Sequence, residues 1–374
     1  MRTRAAILEE MGRPRPYAAS RPLAIADVEL APPRRGEVLV RIAAAGLCHS
    51  DLSVINGDRP RPTPMALGHE AAGIVETLGE GVDDLAPGDH VVMVFVPSCG
   101  CCGPCFEGRP ALCEPAARAN GAGEMLAGGR RIARDGAAIH HHLGVSAFAE
   151  RAVVSRRSLV KVPRDLPAVE AALFGCAVLT GVGAVANTAR IAPGSSVAVI
   201  GLGGVGLAAL LGAVACGAAR IVAVDLEKAK RETALSLGAS DTVDGGADDA
   251  AEQVRALTGG GVDFAFEMAG SAKALELAWA ATRRGGTTVT AGLPHPAQRL
   301  ALPPVTLVAE ERTLKGSYVG SCVPARDIPR YVELYRRGRL PVDRLLGETL
   351  ALDDINAAFD RLADARTLRQ VIRF

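Results

Sequence analysis

Between Val197 and Asp225 the chain reads VAVIGLGGVG, then a long uncharged stretch, then RIVAVD. A short apolar run, a glycine turn, an apolar helix and a second run closing on an acid describe a β–α–β unit. The three spaced glycines have separate jobs. Gly201 permits the tight turn, Gly203 lets the backbone approach a pyrophosphate, and Gly206 lets helix pack on strand. The free N–H groups at the helix start then face the anion. Such a glycine triplet alone is weak. Here it follows a strand, opens a helix and meets Asp225 19 residues after Gly206, so the unit reads as a dinucleotide cradle. A carboxylate at Asp225 would accept from ribose hydroxyls and repel a 2′-phosphate. No arginine follows until Arg231, so NAD is expected over NADP. Lys230 is a candidate for a further ribose contact.

The rest of the second half keeps the same rhythm. Strand candidates recur at 197–200, 220–224, 262–266, 287–291 and 312–316, with helical stretches at 204–217, 228–237, 248–257 and 272–283. Alternating strands and helices imply a parallel sheet covered on both faces. Residues 1–95 are different: apolar runs at 38–42, 72–77 and 90–95 stand between Pro and Gly turn signals, which predicts a β-rich unit. The segment 96–150 is rich in Cys, Gly and Ala and is expected to be loop-like. Two further helices are expected at 327–336 and 353–363. With 374 residues, about 150 per domain suggests two domains.

Composition excludes several classes. Lys+Arg (42) balances Asp+Glu (41), and aromatics are 3%. That leaves neither the charge nor the stacking surface for nucleic acid. The uncharged run 196–219 is long enough to raise a membrane helix, but its glycines and the acid after it fit the cradle better. No membrane association is expected. The start, MRTRAAILEEMGRP, lacks the apolar stretch of a secretion signal. A cytoplasmic, reducing location is expected, and with it free thiols.

The nine cysteines are therefore read as candidate ligands. Cys99, Cys102, Cys105 and Cys113 stand at C-x2-C-x2-C-x7-C, and four thiolates can close a tetrahedral shell. A closed shell makes a structural site, for zinc or, on spacing alone, for an iron–sulfur cluster. Cys101 lies inside the run but off the spacing. Cys48, in CHSD, His69, in GHE, and Cys176, in GCAVLTG, are scattered. Together they would form a Cys2His set that leaves zinc one open position, the catalytic arrangement.

With GLCHSD (46–51), GHE (68–70), the four-cysteine run, GCAVLTG (175–181), GLGGVG (201–206) and Asp225 in hand, the chain resembles a zinc-containing alcohol dehydrogenase of the medium-chain dehydrogenase/reductase superfamily, over essentially its whole length. The resemblance implies an α/β chain with a GroES-like, β-rich catalytic domain at 1–178 and 320–374. That domain would carry both zinc sites. A Rossmann doubly wound parallel sheet domain would take 179–319, with the catalytic zinc in the cleft. It also implies zinc rather than iron–sulfur on the four cysteines, two Zn2+ per chain, and Cys48, His69 and Cys176 as catalytic zinc ligands. Asp51 would orient His69, and Glu70 would lie near the metal. Ser50 would take the alcohol's proton. Ser53 stands where many members carry the histidine that ends this relay, so water is expected to finish it. Thr180 would contact the nicotinamide side, and Arg369 the pyrophosphate. His49 replaces an arginine that often binds the pyrophosphate, which predicts faster cofactor release. Phe95 would wall the substrate pocket, with His142 and Arg118 as polar residues nearby.

The function so implied is hydride transfer from a zinc-bound alcohol to NAD, giving aldehyde or ketone, and the reverse. The alternative is a formaldehyde dehydrogenase acting on a thiol adduct such as S-hydroxymethylglutathione. Relatives that do this carry an arginine after the fourth structural cysteine, and Arg118 is displaced by one residue from that place. A non-enzymatic zinc ribbon would lack the cofactor fingerprint, and a zinc-free quinone reductase would lack the Cys2His set. The expected partner is a small alcohol or aldehyde, and the expected assembly a homodimer paired through the strand near 312–318.

Overall fold

The computed structural model describes residues 1–365 and 367–374. They divide into two compact units. The first comprises residues 1–176, 323–332 and 346–374, the second 177–322 and 333–345.

The first unit is built from β-structure. One group of strands closes into a barrel: Arg2–Leu8, Leu23–Leu30, Ile132–Arg134, Ala137–His141 and Met65–Ala66. A seven-stranded sheet runs Leu159–Lys161, His90–Met93, Ala71–Leu78, Glu37–Gly46, Arg369–Arg373, Leu346–Leu350, with Arg151–Ser155 also paired to Glu37–Gly46. The long strand Glu37–Gly46 has every side chain but that of Arg41 at least partly buried, and such an apolar run suits a central strand. Ile7, Val28, Leu30, Ile132, Ile139 and Val153 form one core cluster.

The segment 96–150 is more ordered than its composition suggests. It holds the helices Gly103–Phe106 and Glu114–Ala122 and the barrel strands Ile132–Arg134 and Ala137–His141. The reason is tertiary. Arg131 donates through Nε and Nη2 to the two carboxylate oxygens of Glu37, at 2.8 and 2.6 Å, and both side chains are fully enclosed. A buried, bidentate pair of this kind fixes where the segment docks, and no local periodicity announces it.

The second unit is a six-stranded parallel sheet in the order Asp241–Asp244, Arg220–Asp225, Ser196–Ile200, Val262–Glu267, Thr282–Thr290, Thr313–Gly316. This is the doubly wound order, and the strand order reverses at Ser196–Ile200, where such folds place their ligand. The helices Gly204–Ala215, Lys228–Ser236, Ala250–Leu257 and Ala272–Ala281 fall where the periodicity put them. The strand Asp241–Asp244 is missing from the sequence reading, because DTVD is polar and short and is held by its register with Arg220–Asp225. Val222, Val224, Val243, Val254 and Val262 pack in its core. The suspect uncharged run resolves into a strand and a 12-residue helix, and no described helix is long and apolar enough to cross a membrane.

Candidate active site

The strand Glu37–Gly46 delivers the chain to Cys48, which precedes the helix His49–Ile55. Gly68 sits at φ +95°, and a Cβ on it would lie 2.4 Å from the amide nitrogen of Phe148. Only glycine fits there, and the turn it allows presents His69. Gly175 plays the same part for Cys176: a Cβ would meet the Met93 carbonyl oxygen at 2.2 Å. The outcome is a buried trio in which the ligand atoms of Cys48, His69 and Cys176 all lie within 4.8 Å of one another.

The trio is set by its surroundings. His69 Nδ1 lies 3.1 Å from Asp51 Oδ1, and Nε2 lies 3.5 Å from Cys176 Sγ. The same Asp51 oxygen accepts from the Gly68 amide at 3.3 Å and lies 3.1 Å from His142 Nδ1. Phe95 and His142 both stand edge-on to the His69 ring, at 5.1 and 5.4 Å between centroids. Burial works against the Asp51 charge, yet the neighbouring imidazoles hold its carboxyl below the usual range. Burial likewise opposes a charge on His69, and Asp51 outweighs it, raising the ring well above its ordinary value. The Cys176 thiol holds Cys48 well below the usual thiol range and is itself pushed up by the contact. An imidazole made basic by a carboxylate, beside two thiols, one of them acidified, is the donor set zinc takes with one position left open. The residues fit the ion.

Glu70 lies beside this trio. Its Oε2 pairs with the Arg369 guanidinium, and its Oε1 is buried with no hydrogen-bond partner. Burial raises the Glu70 carboxyl despite Arg369. Arg369 itself is enclosed, on the strand Arg369–Arg373.

The four thiols of Cys99, Cys102, Cys105 and Cys113 also lie within 4.8 Å of one another. The Cys99 amide donates to Cys113 Sγ at 3.2 Å, and the Cys101 amide to Cys99 Sγ at 3.4 Å. The latter bond lowers the Cys99 thiol to about 6, whereas burial pushes Cys105 up to about 12. Four soft donors with amide N–H support suit a closed zinc site. Cys101 is exposed, its Sγ 3.6 Å from that of Cys99.

In the second unit, Gly201 sits at φ +91°, and a Cβ on Gly206 would lie 1.8 Å from the Gly201 carbonyl oxygen. The turn and the helix start are therefore in backbone contact. A Cβ on Gly203 would meet nothing within 4 Å, so packing leaves that face of the turn open for a ligand. Asp225 closes its strand, accepting from the amides of Leu202 at 2.6 Å and Glu227 at 2.9 Å. The geometry fits a dinucleotide. Lys230 is half-buried, and Thr180 is buried in the helix Ala177–Gly183.

The remaining candidates are spread over the first unit. His49 is exposed and Ser50 half-buried, in the first turn of their helix. Ser53 Oγ donates back to the His49 carbonyl at 3.0 Å. Arg118 is exposed on the helix Glu114–Ala122, from which Asn120 donates to the Phe95 carbonyl at 2.9 Å. His142, expected as a polar residue at the pocket, is enclosed and turned to Asp51. Nothing in the spacing of 51, 69 and 142 pointed to that cluster.

Fold and sites together define a zinc-binding dehydrogenase, and comparison with known proteins agrees. Residues 34–164 match the alcohol dehydrogenase GroES-like domain. Residues 204–337 match the zinc-binding dehydrogenase family. The chain is 38% identical to an S-(hydroxymethyl)glutathione dehydrogenase of Synechocystis sp., over 100% of both chains. It is 37% identical to a class-3 alcohol dehydrogenase of Myxine glutinosa, over 96% of each. The benzyl alcohol dehydrogenase structure from Acinetobacter calcoaceticus superposes with a TM-score of 0.93 at 32% identity, covering 100% of this chain and 99% of that one. The chain belongs to the zinc-dependent alcohol dehydrogenases of the medium-chain dehydrogenase/reductase superfamily. It is an oxidoreductase that moves hydride between an alcohol and a nicotinamide cofactor, as the motifs implied.

Proposed function

We propose an NAD-dependent enzyme that oxidises primary alcohols, aromatic or medium-chain, and reduces the matching aldehydes. One observation carries the reading: the buried Cys48–His69–Cys176 trio, with Asp51 behind His69 and the Phe95 ring beside it. Zinc on these donors supplies a Lewis acid that acidifies a bound alcohol, and NAD supplies the hydride acceptor. Asp51 holds His69 in the tautomer that offers Nε2. Ser50 takes the alcohol's proton. Ser53 is committed to the His49 carbonyl, so solvent, rather than Ser53, completes the relay at the exposed His49 end. Gly201, Gly203 and Gly206 cradle the pyrophosphate, Asp225 and Lys230 meet the adenosine ribose, and His49, Thr180 and Arg369 contact the remainder of the cofactor. The imidazole of His49 would hold NADH less tightly than an arginine; a release rate unchanged in His49→Arg would count against this.

The catalytic domain is assigned to 1–178 and 320–374 and the cofactor domain to 179–319. The chain is read as cytoplasmic, consistent with nine cysteines that form no disulfide. A homodimer is favoured. Thr313–Gly316 is the sheet's edge strand, and Leu293, Val305 and Val308 nearby in sequence are exposed. A partner paired on that edge would cover apolar side chains of this sort.

The second reading is a thiol-adduct formaldehyde dehydrogenase, supported by the name of the Synechocystis relative and by the exposed Arg118, which suits an anionic adduct. A single assay separates the two: NADH production over a panel of aliphatic, aromatic and thiol-adduct alcohols, with NADP as control. Turnover of formaldehyde only with added thiol selects the second reading. Metal analysis should find two zinc ions per chain; one or none would sink the two-site assignment.

A further inference from the structure

The strands Arg220–Asp225 and Asp241–Asp244 run in parallel register, which sets Asp225 beside Asp244 at their carboxyl ends. Into this corner reaches Arg231, from the helix Lys228–Ser236. Its Nη1 donates to the carbonyl oxygens of Asp225 at 2.6 Å and Leu226 at 2.9 Å. Its Nη2 donates to Asp244 Oδ2 at 3.2 Å. The Asp225 carboxylate is held separately, by the amides of Leu202 and Glu227.

Asp225 is the group set against a 2′-phosphate, and Arg231 is the first arginine after it. We infer that Arg231 is a latent 2′-phosphate ligand and that Asp244 keeps it out of use, so that two carboxylates on neighbouring strand ends, not one, set the choice of NAD over NADP. A guanidinium carries five donors in a rigid plane. The two carbonyl contacts of Nη1 anchor it at the turn without help from Asp244. Asp244 occupies Nη2 and balances the charge. In dinucleotide folds an arginine at this turn accommodates a 2′-phosphate. Removing Asp225 alone therefore lifts a repulsion but leaves the arginine neutralised. Removing both carboxylates leaves an anchored guanidinium with a free donor and an unbalanced charge.

The inference rests on Asp225 meeting the adenosine ribose, and the test keeps the two apart. NADH and NADPH are titrated by fluorescence against the zinc-loaded full chain in four forms: wild type, Asp225→Ser, Asp225→Ser/Asp244→Asn, and that pair with Arg231→Ala. The double variant should bind NADPH about tenfold tighter than Asp225→Ser, the worth of one charge-assisted hydrogen bond. The triple variant should lose that gain. A double variant no tighter than the single, or a triple variant that keeps the gain, overturns the role of Arg231 and Asp244. Wild type binding NADPH as tightly as NADH would instead overturn the reading of Asp225. Should the serine variant fail to fold, Asp225→Asn keeps a carbonyl acceptor for one of the two turn amides and carries the same comparison.

Discussion

His69 turns Nδ1 to Asp51 Oδ1 at 3.1 Å and so leaves Nε2 beside the Cys176 thiol at 3.5 Å. The carboxylate settles which ring nitrogen is free for a metal. Substituting Asp51→Asn removes its charge, and losses of this kind cost about 10–100-fold in metal affinity. Zinc release to a chelator should then accelerate for one ion per chain. The ion on the four cysteines serves as internal control. Equal release in variant and wild type would refute the assignment.

Glu70 is placed by a glycine. A Cβ on Gly46 would lie 2.5 Å from Glu70 Oε1 and 2.9 Å from its Cδ, while Oε2 is engaged by Arg369. Gly46→Ala should therefore push Glu70 off Arg369 inside a closed site, at about 1–3 kcal/mol, the usual cost of overpacking. Gly103→Ala, whose Cβ meets nothing within 4 Å, should stay within about 0.5 kcal/mol of wild type. Chemical denaturation of the pair measures the contrast, and equal midpoints would contradict the crowding argument.

The Arg131–Glu37 pair anchors the segment that carries the four cysteines. Arg131→Ala would leave the Glu37 carboxylate buried without its ion-pair partner, with only the Arg34 amide on it, which costs about 3–5 kcal/mol. The Arg35–Glu80 pair is 80% and 78% exposed at 3.8 Å, and Arg35→Ala should change little. Urea unfolding of both variants tests this. A mild Arg131→Ala phenotype would mean that the segment is docked by something else.

His141 makes stability depend on pH. Burial, then the charge of Arg131, lowers its imidazole to about 3, and its Nε2 accepts from the Arg131 amide at 2.9 Å. The folded chain thus binds this proton less readily than the unfolded one. Its contribution is complete above the ordinary histidine value of about 6.5 and falls as pH drops toward 3. At pH 5 the loss is about 2 kcal/mol. His141→Gln keeps an acceptor and removes the titration, so its stability relative to wild type should improve between pH 7 and pH 5. A constant difference across that range would exclude His141 as the source.

Much of this protein can be read before it is folded. The glycine turn, the acid at the end of the next strand and the four-cysteine run each lie within a few tens of residues, and their chemistry depends on local spacing. Five of the six strands of the cofactor unit, and the helices between them, are legible for the same reason, since hydrophobic periodicity is a local signal; the polar strand Asp241–Asp244 is not. The segment 96–150 was not, because its strands are completed by a barrel and its docking by one buried ion pair with Glu37.

The sequence by itself determined the fold class and both donor sets, the scattered trio only through its motifs. The tertiary structure alone decided the partners: that Arg369 faces Glu70, that His142 shares Asp51 with His69, that Ser53 turns back on its own helix, and that Arg231 is held by Asp244. Each is a choice among hydrogen-bond partners that are all compatible with the sequence. Only strand register and burial, by removing water as a competitor, select one of them.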